Sequence, residues 1–494
     1  MEIAVLFFLT SGLFLGWALG ANDAANVFGT AVGTRMISFT TAAIICSVFV
    51  IIGAVMSGAG AAHTLGKLGS INALGGSFMA AFSAALAVYL MTKAGVPVST
   101  TQAIVGSIIG WNLFSETLTD TGSLIKILTT WIVCPLLSAV IAVCLFKAVE
   151  WALKHMKLHL LRTDAYVRLG LVLAGAFGSY SLGANNIGNV MGVFVTSNPF
   201  TNFSVASMFE ISAVQQLFLL GALAISVGVF TYSRKVMRTV GTGVIPLSPI
   251  AAWVVVVSHS LVLFLFASQG LESFLASHDL PTIPLVPVSS SQAVVGAVLG
   301  IAILKGGRGV RWRVLGGIGS GWVITPIISG LVCFIGLFFM QNVFNQTVYT
   351  PVNYRLSEAV MTKLVEHGTQ TSLLAPIEGQ SFVSAVALDG ELKNIPALSE
   401  KDHKTIFEFA EETFMVVGNK NLVKASIDSL SGNQIEALNS QLGKQFEHKW
   451  QLTDALSKAT KDWQFLPANK ANKVFNNALQ NQYGFVFRAL SDLE

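Results

Sequence analysis

Charge is scarce in this chain. Asp, Glu, Lys and Arg make up 11% of its 494 residues against 53% hydrophobic residues, and the mean hydropathy is +0.65. That balance excludes an ordinary soluble globular protein over most of the length. Acids are rarest of all: nine Asp and Glu stand in residues 1–350, and the other 17 of the 26 stand in residues 351–494. Lys and Arg number 16 and 14 in the same two stretches and fall in short clusters between apolar runs, a membrane pattern that excludes a nucleic-acid partner. Cysteine is limited to Cys46, Cys134, Cys144 and Cys333, all in apolar runs and without metal-ligand spacing, so they read as small buried hydrophobes. The first apolar run, 4–19, lacks a basic segment before it (Glu2 is its only charge) and is expected to be a permanent span rather than a signal peptide. No activated nucleophile or metal centre is visible, so an enzyme is not expected.

What is present is a series of apolar runs long enough to cross a hydrocarbon core of roughly 30 Å. Ten spans are expected, at about 3–33, 38–60, 73–92, 96–111, 127–146, 168–196, 211–230, 244–269, 284–303 and 314–341. The second and fifth read as clean apolar helices; the first, fourth, sixth and ninth carry polar motifs and are expected to be broken or bent. The expected organisation is a first membrane repeat over 1–150, a second over 151–345, and a mainly helical extramembrane domain over 351–494, with helix patterns at Glu400–Phe414 and Asn433–Leu452 and a strand pattern at Phe382–Leu388.

Loop charge sets an orientation. Lys147, Lys154, Lys157, Arg162 and Arg168, then Arg234, Lys235 and Arg238, then Lys305, Arg308, Arg311 and Arg313 mark three cytoplasmic loops. Five spans per half is an odd number, so the two halves enter the membrane in opposite senses. The fold class expected is an all-α polytopic membrane protein built as an inverted-topology repeat of two five-span halves, with the N-terminus and the C-terminal domain outside, periplasmic if the cell has an inner membrane.

The duplication itself is legible. GANDAANVFG (Gly20–Gly29) returns as GANNIGNVMG (Gly183–Gly192), and VPVSTTQAIVG (Val96–Gly106) returns as VPVSSSQAVVG (Val286–Gly296). A weaker pair is WIVCP (Trp131–Pro135) and WVITP (Trp322–Pro326). Paired, Gly/Pro-interrupted segments in two halves are the best sequence pointer to a secondary transporter's binding site.

Each motif has a chemistry. Asp23 is the acid inside an apolar span, and burying a carboxylate at that depth costs at least ~2.5 kcal/mol, which a cation or proton must offset. Asn22, Asn185 and Asn186 add amide groups whose carbonyl oxygens suit a hard cation such as sodium, expected at Asp23, Asn22 and Asn185. Asn26 and Asn189 are expected on the substrate. Pro97 and Pro287 suit the start of a new helix, which places Ser99, Thr100 and Thr101, and likewise Ser289, Ser290 and Ser291, at helix N-termini. Free N–H groups, hydroxyls and the positive dipole end there make an anion cradle without Lys or Arg. Glycines such as Gly53, Gly106, Gly110, Gly296 and Gly300 are expected at close helix contacts. His63, His259 and His278 show no pairing pattern and read as structural.

On these residues the chain resembles the inorganic phosphate transporter (PiT) family: the GANDxAN element at Gly20–Asn26, the PxSTT element at Pro97–Thr101 with PVSSS at Pro287–Ser291, and a KVxxTVG-like segment at Lys235–Gly241. The resemblance covers residues 1 to about 341. It implies import of inorganic phosphate by symport with sodium or protons, alternating access, a homodimer in membrane lipid, and substrate and ion sites at the motif Asn, Asp, Ser and Thr residues; no cofactor other than the coupling ion is implied. Asn186 stands where members often carry a second Asp, and Gln102 where many carry His. Sulfate permeases occur in the same family, so an oxyanion symporter of the same architecture is the alternative reading, and an anion channel or membrane sensor is the rival from another class.

Overall fold

The computed structural model describes residues 3–94, 98–156, 159–200, 203–205, 209–234, 236–237, 247–307, 310–417, 430–467 and 472–491. Val96, Pro97, Lys157, Lys235, residues 238–241 and Arg308 lie outside them. The chain forms two compact units, Met1–Ser115 with Thr119–Thr350, and Glu116–Leu118 with Pro351–Glu494.

The first unit holds helices α1 (Ile3–Gly33), α2 (Phe39–Ser57), α3 (Ala59–Leu68), α4 (Leu74–Lys93), α5 (Thr100–Phe114), α6 (Thr121–Met156), α7 (Leu160–Met191), α8 (Ala213–Thr231), α9 (Pro249–Leu265), α10 (Gln269–Ser277), α11 (Ser290–Leu304) and α12 (Trp312–Asn342). A short antiparallel hairpin, β1 (Phe203–Val205) with β2 (Phe209–Ile211), precedes α8. Among the described residues, seven helices are long and apolar enough to cross a membrane, and α9 with α10, bent by 64°, makes an eighth candidate. This is a multi-pass membrane protein.

Several expectations are corrected. The segments at 96–111 and 284–303 yield helices of only 15 residues each, α5 and α11. At 1.5 Å per residue that is about 22 Å, short of the roughly 30 Å core. The first and sixth spans are not broken: α1 and α7 run as continuous helices through both Asn-rich motifs. Asn22, Asn26, Asn185 and Asn189 bond to chain segments outside their own helix, so the i→i−4 ladder is left intact. The second span, expected as clean, is the apolar helix α2, and α3 follows it after Gly58. The basic loop expected at 147–168 is mostly helix: α6 and α7, 36 and 32 residues long, continue past membrane length. The i,i+4 ion pairs Lys154–Glu150 (3.4 Å) and Arg168–Asp164 (2.9 Å) lie on these extensions, where such pairs favour helix.

Helices from the two halves of the sequence pack directly on one another, at glycines. Gly20 of α1 meets the Ile225 backbone of α8, and Gly228 of α8 meets the Trp17 carbonyl. Equivalent contacts join α7 and α2, Gly183 on Val50 and Gly53 on Tyr180. Gly106 and Gly110 of α5 meet Pro326 and Gly330 of α12, and Gly296 and Gly300 of α11 meet Pro135 and Ala139 of α6. Residue numbers rise together along each of the last two pairs, so α5 runs with α12 and α11 with α6. Gly16 and Gly20 meet Gly221 and Ile225 in the same rising order, and Gly183, Gly188 and Gly192 meet Val50, Ala62 and Leu65. Thus α1 runs with α8, and α7 with α2 and α3. The outer faces of α6 (Ile125, Ile132, Leu136, Val140) and α12 (Val323, Ile327, Leu331, Phe338) remain exposed and apolar, as suits a lipid-facing surface.

In the second unit, none of the described helices is a candidate span. It holds two apolar clusters, one around Leu356, Leu364, Leu388 and Ile406 and the other around Met415, Leu452, Leu456 and Trp463. Each cluster carries a two-stranded antiparallel sheet, β3 (Tyr354–Arg355) with β4 (Ser381–Phe382) and β5 (Met415–Val416) with β6 (Gln445–Phe446). The helix expected over 400–414 ends at Ala410, and that over 433–452 divides into Gly432–Asn439 and Lys449–Ala459 around Gly443, whose φ of +82° favours glycine. Of Phe382–Leu388, expected as strand, Phe382 lies in β4, and the chain from Ala385 to Lys393 is helix behind the Ser384 cap.

Candidate functional site

Both hydroxyl triplets sit where a helix begins. Ser99 caps α5 by accepting the Gln102 N–H at 3.2 Å, and Ser289 caps α11 by accepting the Gln292 N–H at 3.3 Å. Helix geometry then leaves the N–H groups of Thr100, Thr101, Ser290 and Ser291 without i−4 carbonyl partners. The two tips touch: Thr101 Oγ1 donates to the Val288 carbonyl, just ahead of α11, at 3.2 Å.

The Asn motifs of α1 and α7 clamp these tips crosswise. Asn26 Nδ2 donates to Ser290 Oγ at 3.0 Å, and Asn189 Nδ2 donates to Thr101 Oγ1 at 2.8 Å. Each bond therefore joins a first-half motif to a second-half motif. Asn22 Nδ2 reaches the Val98 carbonyl at 3.1 Å; Asn185 donates to the Val286 carbonyl at 3.1 Å and accepts the Val288 N–H at 2.8 Å. These amides satisfy the non-helical backbone that leads into each short helix, which would otherwise be unpaired at membrane depth. Both ends of the Asn185 amide are engaged in this way, so Asn185 is here a clamp on residues 286–288.

Asp23 is buried and receives Nδ2–H bonds from Asn22 at 2.9 Å and from Asn26 at 3.4 Å, both on Oδ1. At the equivalent point of α7, Asn186 Oδ1 receives Asn189 Nδ2 at 3.2 Å. The two halves thus differ in sign: one presents a carboxylate, the other an amide whose Nδ2 has no partner among the described residues.

Unused hydrogen-bonding capacity concentrates at this place. Thr100 Oγ1 and Asn186 Nδ2 are left without partners among the described residues, as are Gln102 Oε1, Gln292 Oε1 and Asn189 Oδ1. Buried polar atoms are ordinarily paired, so such a cluster fits a polar guest. The hydroxyl, the amide N–H groups and the helix tips suit an anion. The Asp23 carboxylate and the amide oxygens suit a hard cation, which prefers oxygen ligands. No group of three or more His, Cys, Asp or Glu that could hold a tightly bound metal occurs among the described residues. No Lys or Arg belongs to either motif.

All twelve residues marked by the sequence are buried, Asn26 being the most exposed at 6%. Within this cluster Ser99 and Ser289 are caps, Ser291 pairs with Ser289 at 3.1 Å, and Thr101 has its hydroxyl proton on Val288. Two kinds of residue were missed. Gln102 and Gln292 stand 190 positions apart at the same place in the two copies, a signal visible in the repeat. His259, on α9, lies 2.9 Å from Ser290 Oγ, and nothing in its local sequence marks it.

The model of the phosphate transporter family matches residues 19–273 and 280–481, and so extends beyond residue 341 into the second unit. A relative from Methanocaldococcus jannaschii, named "putative phosphate permease", is 30% identical over 336 residues, covering 68% of this chain and 97% of its own length. A protein of the same name from Haemophilus influenzae is 23% identical over 419 residues, 68% of this chain and 96% of that one. A solved structure titled "The sodium-dependent phosphate transporter" is similar with a TM-score of 0.54 at 24% identity, covering 68% of this chain and all of that one.

Proposed function

Because the chain belongs to the phosphate transporter family, we propose that it imports inorganic phosphate by symport with sodium, through alternating access. The observation that carries this reading is the pair of helix tips, α5 and α11, drawn together by Asn26–Ser290 and Asn189–Thr101 beside the carboxylate of Asp23. The family match makes this a transporter's site.

Electrostatics makes symport the natural coupling. A phosphate anion about 5 Å from the Asp23 carboxylate would be repelled by about 3 kcal/mol per unit charge at an effective dielectric of ~20. With no Lys or Arg in the motifs, a co-bound cation is the available source of compensation. Cations enter first around Asp23 and the amide oxygens. Phosphate then docks on Thr100, Ser290, Asn186 and the free helix N–H groups, and the loaded site is exposed inward. Sodium is preferred over the proton because the site offers several amide oxygens around one carboxylate, and the solved transporter of similar fold is sodium-dependent by its title. The near-complete burial of every motif side chain supports a closed intermediate from which the two faces open in turn.

The same reading includes an inverted-topology repeat with ten passages. Its support is the direction of the packed helices. The short link at 34–38 opposes α1 to α2, and α7 runs with α2; α1 and α7, which carry the two Asn motifs, therefore run oppositely. Each short helix, with the non-helical residues before it, counts as one passage. The N-terminus and the chain after α12 then lie outside, and the basic turns inside. The apolar faces of α6 and α12 are the surfaces available to lipid and to a second copy in a homodimer.

Purified protein in proteoliposomes with an inward sodium gradient is expected to accumulate radiolabelled phosphate above equilibrium. Accumulation of sulfate instead of phosphate would favour the other oxyanion, and flux that equilibrates without accumulating would favour a channel. Among the hydroxyls, Thr100→Ala is expected to raise the phosphate KM about tenfold or more, since a hydrogen bond to a charged group is worth about 1.5–3 kcal/mol. Thr101→Ala is expected to change KM less and to lower thermal stability, because its hydroxyl bonds Val288 and Asn189. Equal KM effects at the two positions would reject the division of donors drawn here.

A further inference from the structure

His259 of α9 is fully buried, with Nε2 2.9 Å from Ser290 Oγ; the same oxygen receives Asn26 Nδ2 at 3.0 Å. Its Nδ1 has no partner, and the imidazole forms no ion pair, among the described residues. A neutral imidazole has two ways to make this contact. With the proton on Nδ1, Nε2 takes the Ser290 hydroxyl proton and a buried N–H donor is left unpaired. With the proton on Nε2, Ser290 Oγ accepts two N–H bonds, from His259 and from Asn26, and what is left unpaired is an acceptor. Orphaned buried N–H groups are the rarer of the two defects. In the second arrangement both lone pairs of Ser290 are occupied. Its remaining capacity is its own O–H, directed away from both partners.

We propose that His259 is a positioning residue for the substrate: it holds Ser290 as an obligate hydrogen-bond donor to an oxygen of the bound phosphate. This rests on the reading of the motif cluster as a phosphate site. It also accounts for an asymmetry between the halves. Thr100, the counterpart of Ser290, has a hydroxyl with no protein partner among the described residues and turns to suit its ligand. Ser290 is fixed from two sides. An oriented donor favours an anion over a cation or water at that point, because a hydroxyl whose lone pairs are occupied cannot serve as a metal ligand.

The test is phosphate uptake kinetics in sodium-loaded gradients for His259→Gln, His259→Asn, His259→Leu, Ser290→Ala and the double variant His259→Leu/Ser290→Ala. The Gln amide N–H can occupy the place of Nε2, whereas the shorter Asn amide matches Nδ1 and does not reach Ser290. Expected are KM values raised about tenfold for Ser290→Ala, His259→Asn and His259→Leu, within about threefold of the unsubstituted protein for His259→Gln, and no further increase in the double variant. The sodium concentration for half-maximal uptake should be unmoved in all of them. A KM unchanged in His259→Asn, a Gln variant as impaired as the Asn variant, or a double variant equal to the product of the single effects would each overturn the proposal. If His259→Leu does not yield folded protein, the Gln–Asn comparison decides alone. If the unsubstituted protein accumulates sulfate and not phosphate, the phosphate reading has failed separately, and the same variants are scored for sulfate.

Discussion

Asp23→Asn protein is expected to fold, to reconstitute, and to lose sodium-driven phosphate accumulation by at least ~100-fold. The carboxylate is the fixed negative charge of the motif cluster, and a cation about 4 Å from it gains about 4 kcal/mol at an effective dielectric of ~20. Losing most of that interaction corresponds to two or more powers of ten in ion occupancy, since each 1.4 kcal/mol is a factor of ten. The effect on stability has the opposite sign. An uncompensated carboxylate at membrane depth costs at least ~2.5 kcal/mol, so in sodium-free buffer the Asn variant should melt no lower than the parent. Sodium should raise the melting temperature of the parent, as any ligand of the folded state does, and leave the variant unmoved. A structural role for Asp23, as the acceptor that fixes Asn22 and Asn26, predicts the reverse: a lower melting temperature for the variant at every sodium concentration. Uptake at the parent's rate in Asp23→Asn would remove the ion site from this position.

Replacing Gly106 by Ala should be among the most damaging additions of a single methyl group in the membrane unit. A Cβ there would fall on the Pro326 carbonyl oxygen and crowd the Pro326 Cα and carbonyl carbon, all backbone atoms that cannot rotate away. Helix α5 would have to move off α12, and α5 begins six residues earlier at Thr100, whose hydroxyl has no partner among the described residues. Overpacking of this kind costs about 1–3 kcal/mol, expected as a lower melting temperature together with a raised phosphate KM. Gly66→Ala is the control: nothing lies within 4 Å of its added Cβ, and exchanging Gly for Ala in helix α3 is expected to stabilise slightly. Gly296→Ala, against Pro135 on the other side of the pseudo-repeat, should behave as Gly106→Ala does. Equal melting temperatures for Gly106→Ala and Gly66→Ala would show that α5 and α12 are not held at this distance.

The membrane class and the duplicated motifs were legible because both are local properties of the chain. Hydropathy adds residue by residue, so long apolar runs announce spans wherever they stand. A repeated motif is a string, visible without knowing what it touches. Even Gly106, which lets α5 approach α12, and Gly296, which lets α11 approach α6, end the two copies of a repeated string.

What the tertiary structure alone decided was the use made of those strings. Asn-rich motifs in α1 and α7 read as helix breaks, yet both helices run through them, because the amides bond the backbone before α5 and α11 rather than their own. Asn186 read as a source of carbonyl oxygen, yet that oxygen is occupied by Asn189 and the amide N–H is what faces an unfilled partner. His259 carried no sequence signal, since its meaning lies in Ser290, 31 residues away and on another helix. Composition and repetition are summed along the chain, whereas hydrogen-bond partners in a membrane interior are chosen across it: without water at that depth, each polar group must take whatever partner the packing of other helices brings within 3 Å.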